Sequence, residues 1–131
     1  MMGSYDYYKQ MFKDVPKPFA FVDLDLLDAN MKAIAKEAGG KKVRVASKSI
    51  RCPEVLRRIL AADDVYQGIM CYTATEAAFL ARQGFDDLLL GYPQWHAEAL
   101  QDVISLIREG KTITFMVDCI EHVEQLKRLA T

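Results

Sequence analysis

Short apolar runs alternate with longer amphipathic stretches along this chain. The runs "FAFVDL" (Phe19 to Leu24), "KVRVAS" (Lys42 to Ser47), "QGIMCY" (Gln67 to Tyr72), "DLLLGY" (Asp87 to Tyr92) and "TITFMV" (Thr112 to Val117) have the length of strands. A helical pattern follows each one. "LLDANMKAIAKEAGG" sets Leu27, Met31, Ile34 and Ala38 on one face and stops at Gly39-Gly40. "CPEVLRRILAA" starts with Pro53 at the favoured first helical position. "TATEAAFLARQG" opens with Thr73 and Glu76 at capping-box spacing and ends at Gly84. "QWHAEALQDVISLIREG" ends at Gly110, and "DCIEHVEQLKRLA" repeats Ile120, Val123, Leu126 and Leu129 behind Asp118 as its expected cap.

The strand starts at residues 19, 42, 67, 87 and 112 are separated by 23, 25, 20 and 25 residues, so a βα unit repeats five times. Apolar runs of this kind belong to parallel sheets whose crossovers are helices. An open doubly wound sheet and a portion of a (β/α)8 TIM barrel both fit. A complete barrel takes roughly 250 residues, and five units in 131 have a barrel's density. The expected class is therefore α/β, a partial barrel over residues 18–131 behind an N-terminal tail, residues 1–17. Strands at the two cut edges would lack neighbours, which favours a homo-oligomer.

Position gives Lys48 its interest. Side chains alternate along a strand, so Val43, Val45 and Ser47 face one side while Arg44, Ala46 and Lys48 face the other. With the valines under helices, a semi-buried Lys48 points inward at the carboxyl end of its strand, where both architectures carry their chemistry. An amine there can form a Schiff base with an aldehyde through its neutral form, which burial or a cation such as Arg44 or Arg51 favours. Tyr72 and Tyr92 end the next two strands and could line the same pocket, or serve as interfacial aromatics. The plain alternative for Lys48 is a solvated loop lysine or half of an ion pair.

Composition narrows the class. The 17 basic and 18 acidic side chains balance, which points to neither nucleic acid nor a charged membrane surface. The apolar runs are too short to span a bilayer, and the start "MMGSYDYYKQMFKD" lacks a secretory signal's apolar core. A cytoplasmic protein is expected. Cys52, Cys71 and Cys119 stand singly and read as reduced, mostly buried thiols. Cys119 and His122 stand at i, i+3, but two ligands do not make a metal site, and none is expected. Asp25 is expected to cap the first helix rather than to act as an acid. There is no Gly-rich nucleotide fingerprint and no P-loop.

The segment Pro18 to Leu60 resembles the opening of the alanine racemase-like, fold-type III pyridoxal phosphate enzymes. It is most similar to the branch of D-threonine aldolase, D-serine dehydratase and amino acid deaminase/aldolase proteins. The resemblance rests on "VDLDLLDAN", the R-x-x-x-K segment from Arg44 to Lys48, the Cys52-Pro53-Glu54 helix start, "LLLGYP" and "MVDCIEHVEQL", in family order across residues 18–129. It implies that Lys48 holds pyridoxal phosphate, with Arg44, Tyr72 and Tyr92 as further cofactor contacts. It also implies an enzyme of deaminase/aldolase (lyase) or racemase type with an amino acid as its small-molecule substrate. Relatives tend to read R-P-H-A-K-T-H-K where this chain has Ala46, Ile50 and Arg51 in place of His, His and Lys. The branch is therefore implied and the substrate is not.

The family's later barrel strands, its divalent-metal ligands and its C-terminal β domain have no counterpart in these residues. The chain reads as the N-terminal portion of a longer enzyme, inactive alone. Two other readings remain open at this stage: a non-catalytic pyridoxal phosphate homeostasis protein, and an α/β interaction domain in which Lys48 is incidental.

Overall fold

The apolar runs from residue 42 onward become strands because each has a parallel neighbour to complete its backbone hydrogen bonds. In the computed structural model, which describes residues 3–131, β1 (Val43–Ala46), β2 (Tyr66–Cys71), β3 (Leu88–Leu90) and β4 (Ile113–Phe115) form one parallel sheet in the order β1-β2-β3-β4. Their registers bring Ala46, Met70, Leu89 and Thr114 into one row across the sheet. Between the strands run α3 (Pro53–Ala62), α4 (Ala74–Arg82) and α5 (Ala97–Arg108), and α6 (Ile120–Ala130) follows β4. Sequential strand order without reversal is the winding of a barrel; a doubly wound sheet reverses at its switch point.

One face of this sheet is covered and the other open. Ile69, Cys71, Leu88 and Leu90 are almost wholly buried, as are Leu56 of α3, Ala77 of α4 and Leu100 of α5 that pack over them. Each leucine or isoleucine so buried stabilises the fold by about 1.5–3 kcal/mol. The opposite row is partly exposed, and Thr114 is exposed outright.

Local chemistry sets the helix ends as expected in three cases. Pro53 opens α3, the Thr73 hydroxyl accepts from Glu76 N at 3.2 Å, and Gly84 and Gly110 follow α4 and α5 with φ of +91° and +101°. Helix α6 differs. Its cap position is Cys119, without a side-chain cap bond, because the Asp118 carboxylate turns instead toward His122. Its stripe is only half-buried, and Ile120 is exposed.

The chain divides into two compact units, Met1–Gly39 and Gly40–Thr131. Within the first, α1 (Tyr5–Met11) lies in the expected tail, and α2 (Leu24–Glu37) takes Asp23 rather than Asp25 as its cap, with Asp23 Oδ1 accepting from Leu26 N at 3.0 Å. The expected first strand is not in the sheet: residues 19–23 are irregular, and Leu24 already belongs to α2. The rings of Phe19 and Phe21 lie 5.1 and 4.6 Å from that of Phe12, so the run's apolar pattern serves an aromatic cluster instead of a ladder. On α2 only Met31 of the four expected face residues is buried, because so small a unit offers little surface to cover a helix.

Candidate functional site

Lys48 lies just beyond β1, in a tight turn closed by Ser49 N and Ile50 N donating to Ala46 O at 3.2 and 3.3 Å. The turn is tied to β2 by Ser47, whose backbone N and Oγ both donate to Met70 O at 3.0 and 3.2 Å. Ser47 is buried on the helix-facing side, so Lys48 falls on the other side. The lysine is exposed rather than semi-buried, consistent with the open sheet face beneath it.

Two tyrosines meet the amine. Lys48 Nζ stands 4.8 Å from the ring centroid of Tyr72 and 5.4 Å from that of Tyr92, and the two rings meet edge-to-face at 5.2 Å. Both distances are within cation–π range. Tyr72 follows β2 directly and Tyr92 lies two residues beyond β3, so consecutive strand ends deliver the pair.

A loop amide locks the two strand ends together. Gln94 Nε2 donates to Tyr92 O at 2.9 Å, to Pro93 O at 3.2 Å and to Tyr72 O at 3.3 Å, while its Oε1 accepts from Ala74 N at 2.9 Å. On the other side of Tyr72, Glu76 Oε2 accepts from the Tyr72 N–H at 2.7 Å. The peptide groups of Tyr72 are thus held on both sides. Gln94 escaped sequence reading, because a single amide bonding to loop carbonyls leaves no periodicity; its only signal is a polar residue between Tyr92-Pro93 and Trp95.

Arg44 is engaged elsewhere. Its guanidinium donates to Asp87 O at 2.5 Å and Asp87 Oδ1 at 2.8 Å, reaching across β2 above Gly68. Gly68 has φ +70°, and a Cβ there would collide with Arg44 and the Asp87 carbonyl. The structure therefore brings Lys48, Tyr72 and Tyr92 together and pairs Arg44 with Asp87. Arg51 is close to the lysine's backbone, its Nε donating to Lys48 O at 3.4 Å.

The thiols divide. Cys71 is buried in the sheet, and burial pushes it up to about 12, with the Glu76 carboxylate adding, so it stays a protonated core side chain. Cys52 and Cys119 are exposed, contrary to the expectation of mostly buried thiols, because both sit where a loop enters a helix.

An amine between two phenol faces, beside an open row of small and apolar side chains, fits a flat aromatic aldehyde. Gly91 lets the Met70 side chain pack against its backbone, since a Cβ there would meet Met70 Cγ and Sδ at 2.9 Å. The amine offers a covalent bond and the rings offer stacking surface.

Comparison with known proteins bears on the fold and the family. The family described as alanine racemase, N-terminal domain, matches residues 22–131. Among solved structures the chain is similar to D-threonine aldolase from Filomicrobium marinum, with a TM-score of 0.79 and 23% identity over 88% of this chain and 31% of that one. At that identity the likeness speaks for the fold, and this chain spans less than a third of that protein. No curated protein sequence matches it. Among the described residues no helix is long and apolar enough to cross a membrane.

Proposed function

Since the chain belongs to the family of alanine racemase N-terminal domains, we propose that it binds pyridoxal phosphate through Lys48 and serves an enzyme acting on amino acids, of deaminase, aldolase or racemase type. The observation that carries this reading is the Lys48 amine set against the Tyr72 and Tyr92 rings at the carboxyl end of a parallel sheet. In barrels of this winding that end carries the chemistry. When bound, the cofactor supplies an electron sink for a carbanion at the substrate's α-carbon.

The chain's own residues have distinct tasks. Lys48 Nζ is the attachment point for the cofactor's aldehyde carbon, and the turn from Ala46 to Ile50 fixes where it projects. Tyr72 and Tyr92 hold the amine and would offer stacking surface to the cofactor, and Gln94 keeps their backbones in place. Arg44, on the strand that leads to Lys48 and anchored by Asp87, would add positive charge to the site.

We propose that the barrel domain spans residues 18–131 behind a tail of residues 1–17; the family match over residues 22–131 lies within that span. We carry the lyase type as part of this proposal; the D-threonine aldolase shares the fold with this chain. Strands β1 and β4 each have a single hydrogen-bonded neighbour in the sheet, which supports association into a homo-oligomer. Three free thiols suit a cytoplasmic location.

The test is a visible absorption band on adding pyridoxal phosphate, compared between wild type and Lys48→Ala, followed by a screen of D- and L-amino acids for keto acid, aldehyde or racemised product. The chain alone should give a Lys48-dependent band without turnover, and the full-length protein should give both. A band that survives Lys48→Ala contradicts the attachment, and a Lys48-dependent band with no amino acid turned over by the full-length protein contradicts the enzyme.

A further inference from the structure

The entry to α6 gathers three side chains with metal-ligand chemistry that the Lys48 site does not use. One ligand atom each from Asp118, Cys119 and His122 lies within 4.8 Å of the others. The Cys119–His122 spacing of three and the Asp118–His122 spacing of four bring all three to the same side of the first helical turn.

Several observations distinguish this group from an acid that happens to precede a helix. Asp118 does not cap α6, and its Oδ1 lies 2.9 Å from His122 Nδ1. Nδ1 is buried, yet the carboxylate lies off the direction a hydrogen bond needs, so the nitrogen has no hydrogen-bond partner. A buried polar atom left in that condition costs free energy, and a cation between the nitrogen lone pair and the carboxylate removes the cost. The imidazole is also fixed from behind. The Trp95 ring stands edge-on to it at 5.7 Å, and the Trp95 carbonyl accepts from Gln125 Nε2 of the same helix at 3.1 Å.

We propose that Asp118, Cys119 and His122 form a site for a borderline-soft divalent cation of the zinc type, with water as fourth ligand. A thiolate, an imidazole and a carboxylate suit such a cation and disfavour magnesium and calcium, which take oxygen ligands. Cys119 binds as thiolate and releases its proton to solvent, so thiolate and carboxylate together neutralise the two positive charges. Ligands bonded at about 2.0–2.3 Å in a tetrahedron stand about 3.5 Å apart. Closing the group from 4.8 Å takes side-chain rotation of Asp118 and Cys119, both exposed, with the Cys119 thiol exchanging its contact with the Glu121 carboxylate for the cation. The site lies at the carboxyl end of β4, the same end of the sheet as the Lys48 turn.

Cobalt(II) titration of the metal-free 131-residue chain tests the site, because a thiolate on tetrahedral cobalt gives a charge-transfer band and intense visible bands. Both should appear at one equivalent and vanish when zinc is added. Cys119→Ser should abolish the charge-transfer band, and His122→Gln should weaken cobalt binding by about tenfold or more. Cys52→Ser should leave the spectrum unchanged. Asp118→Asn, at an exposed position, repeats the affinity test should His122→Gln lose its fold by circular dichroism. Absence of the bands in wild type, or bands that persist in Cys119→Ser, overturns the proposal.

Discussion

Lys48 and Tyr72 meet as cation and ring: the amine stands 4.8 Å from the Tyr72 centroid, although the two residues come from different strand ends. A cation–π contact at an exposed site is worth about 0.5–1 kcal/mol. Tyr72→Ala should therefore weaken pyridoxal phosphate binding roughly two- to fivefold, and Tyr72→Phe, which keeps the ring, should cost less. Spectrophotometric titration of the two variants compares them, and equal losses would shift the role to the hydroxyl.

Gln94 ties the backbones that present both tyrosines. Gln94→Leu leaves the Ala74 N–H and the Tyr72 and Tyr92 carbonyls to find water, for an expected loss of about 1–3 kcal/mol. Urea unfolding measures that loss. Cofactor binding should fall beyond what unfolding explains, since the tyrosines lose their common anchor.

Gly68 lies beneath the Arg44–Asp87 pair, with φ +70° and room for no side chain. Gly68→Ala should destabilise the sheet by more than 2 kcal/mol, combining backbone strain with displacement of the guanidinium. Arg44→Met should cost less than about 1 kcal/mol in stability, because the pair is partly solvated. Thermal melts of the two variants distinguish packing from charge.

In the N-terminal unit the Tyr8 hydroxyl donates to Asp23 Oδ2. That hydrogen bond raises the Tyr8 phenol to about 12, and the same bond, helped by Leu26 N, holds the Asp23 carboxyl below its usual range. The lowered Asp23 contributes stability above the ordinary carboxylate range and loses it as pH falls. The raised Tyr8 contributes below the ordinary phenol pKa of about 10 and loses it as pH rises toward about 12. Tyr8→Phe should lower Tm at neutral pH, and the gap to wild type should narrow toward acid.

Four of the strands were legible because a strand under helices must be apolar along its length, and the βα spacing repeats that demand. The run from Phe19 was misread for the same reason: its phenylalanines satisfy an aromatic cluster, and hydrophobic pattern alone does not distinguish the two uses. The placement of Lys48 followed from strand alternation, but its exposure did not, since alternation gives the side and not what covers it. The Arg44–Asp87 pairing joins residues 43 apart and leaves no local signal. Asp118 was read as a cap from its position alone, whereas its direction toward His122 is a matter of rotamer.

Borohydride reduction of the chain in the presence of pyridoxal phosphate, followed by peptide mapping, tests the central claim most directly, because reduction makes the attachment permanent and the map names its residue. The account predicts one dominant pyridoxyl label, on Lys48, lost in Lys48→Ala. A dominant label on any other lysine, or labelling spread evenly over the exposed lysines and unchanged in Lys48→Ala, would contradict it.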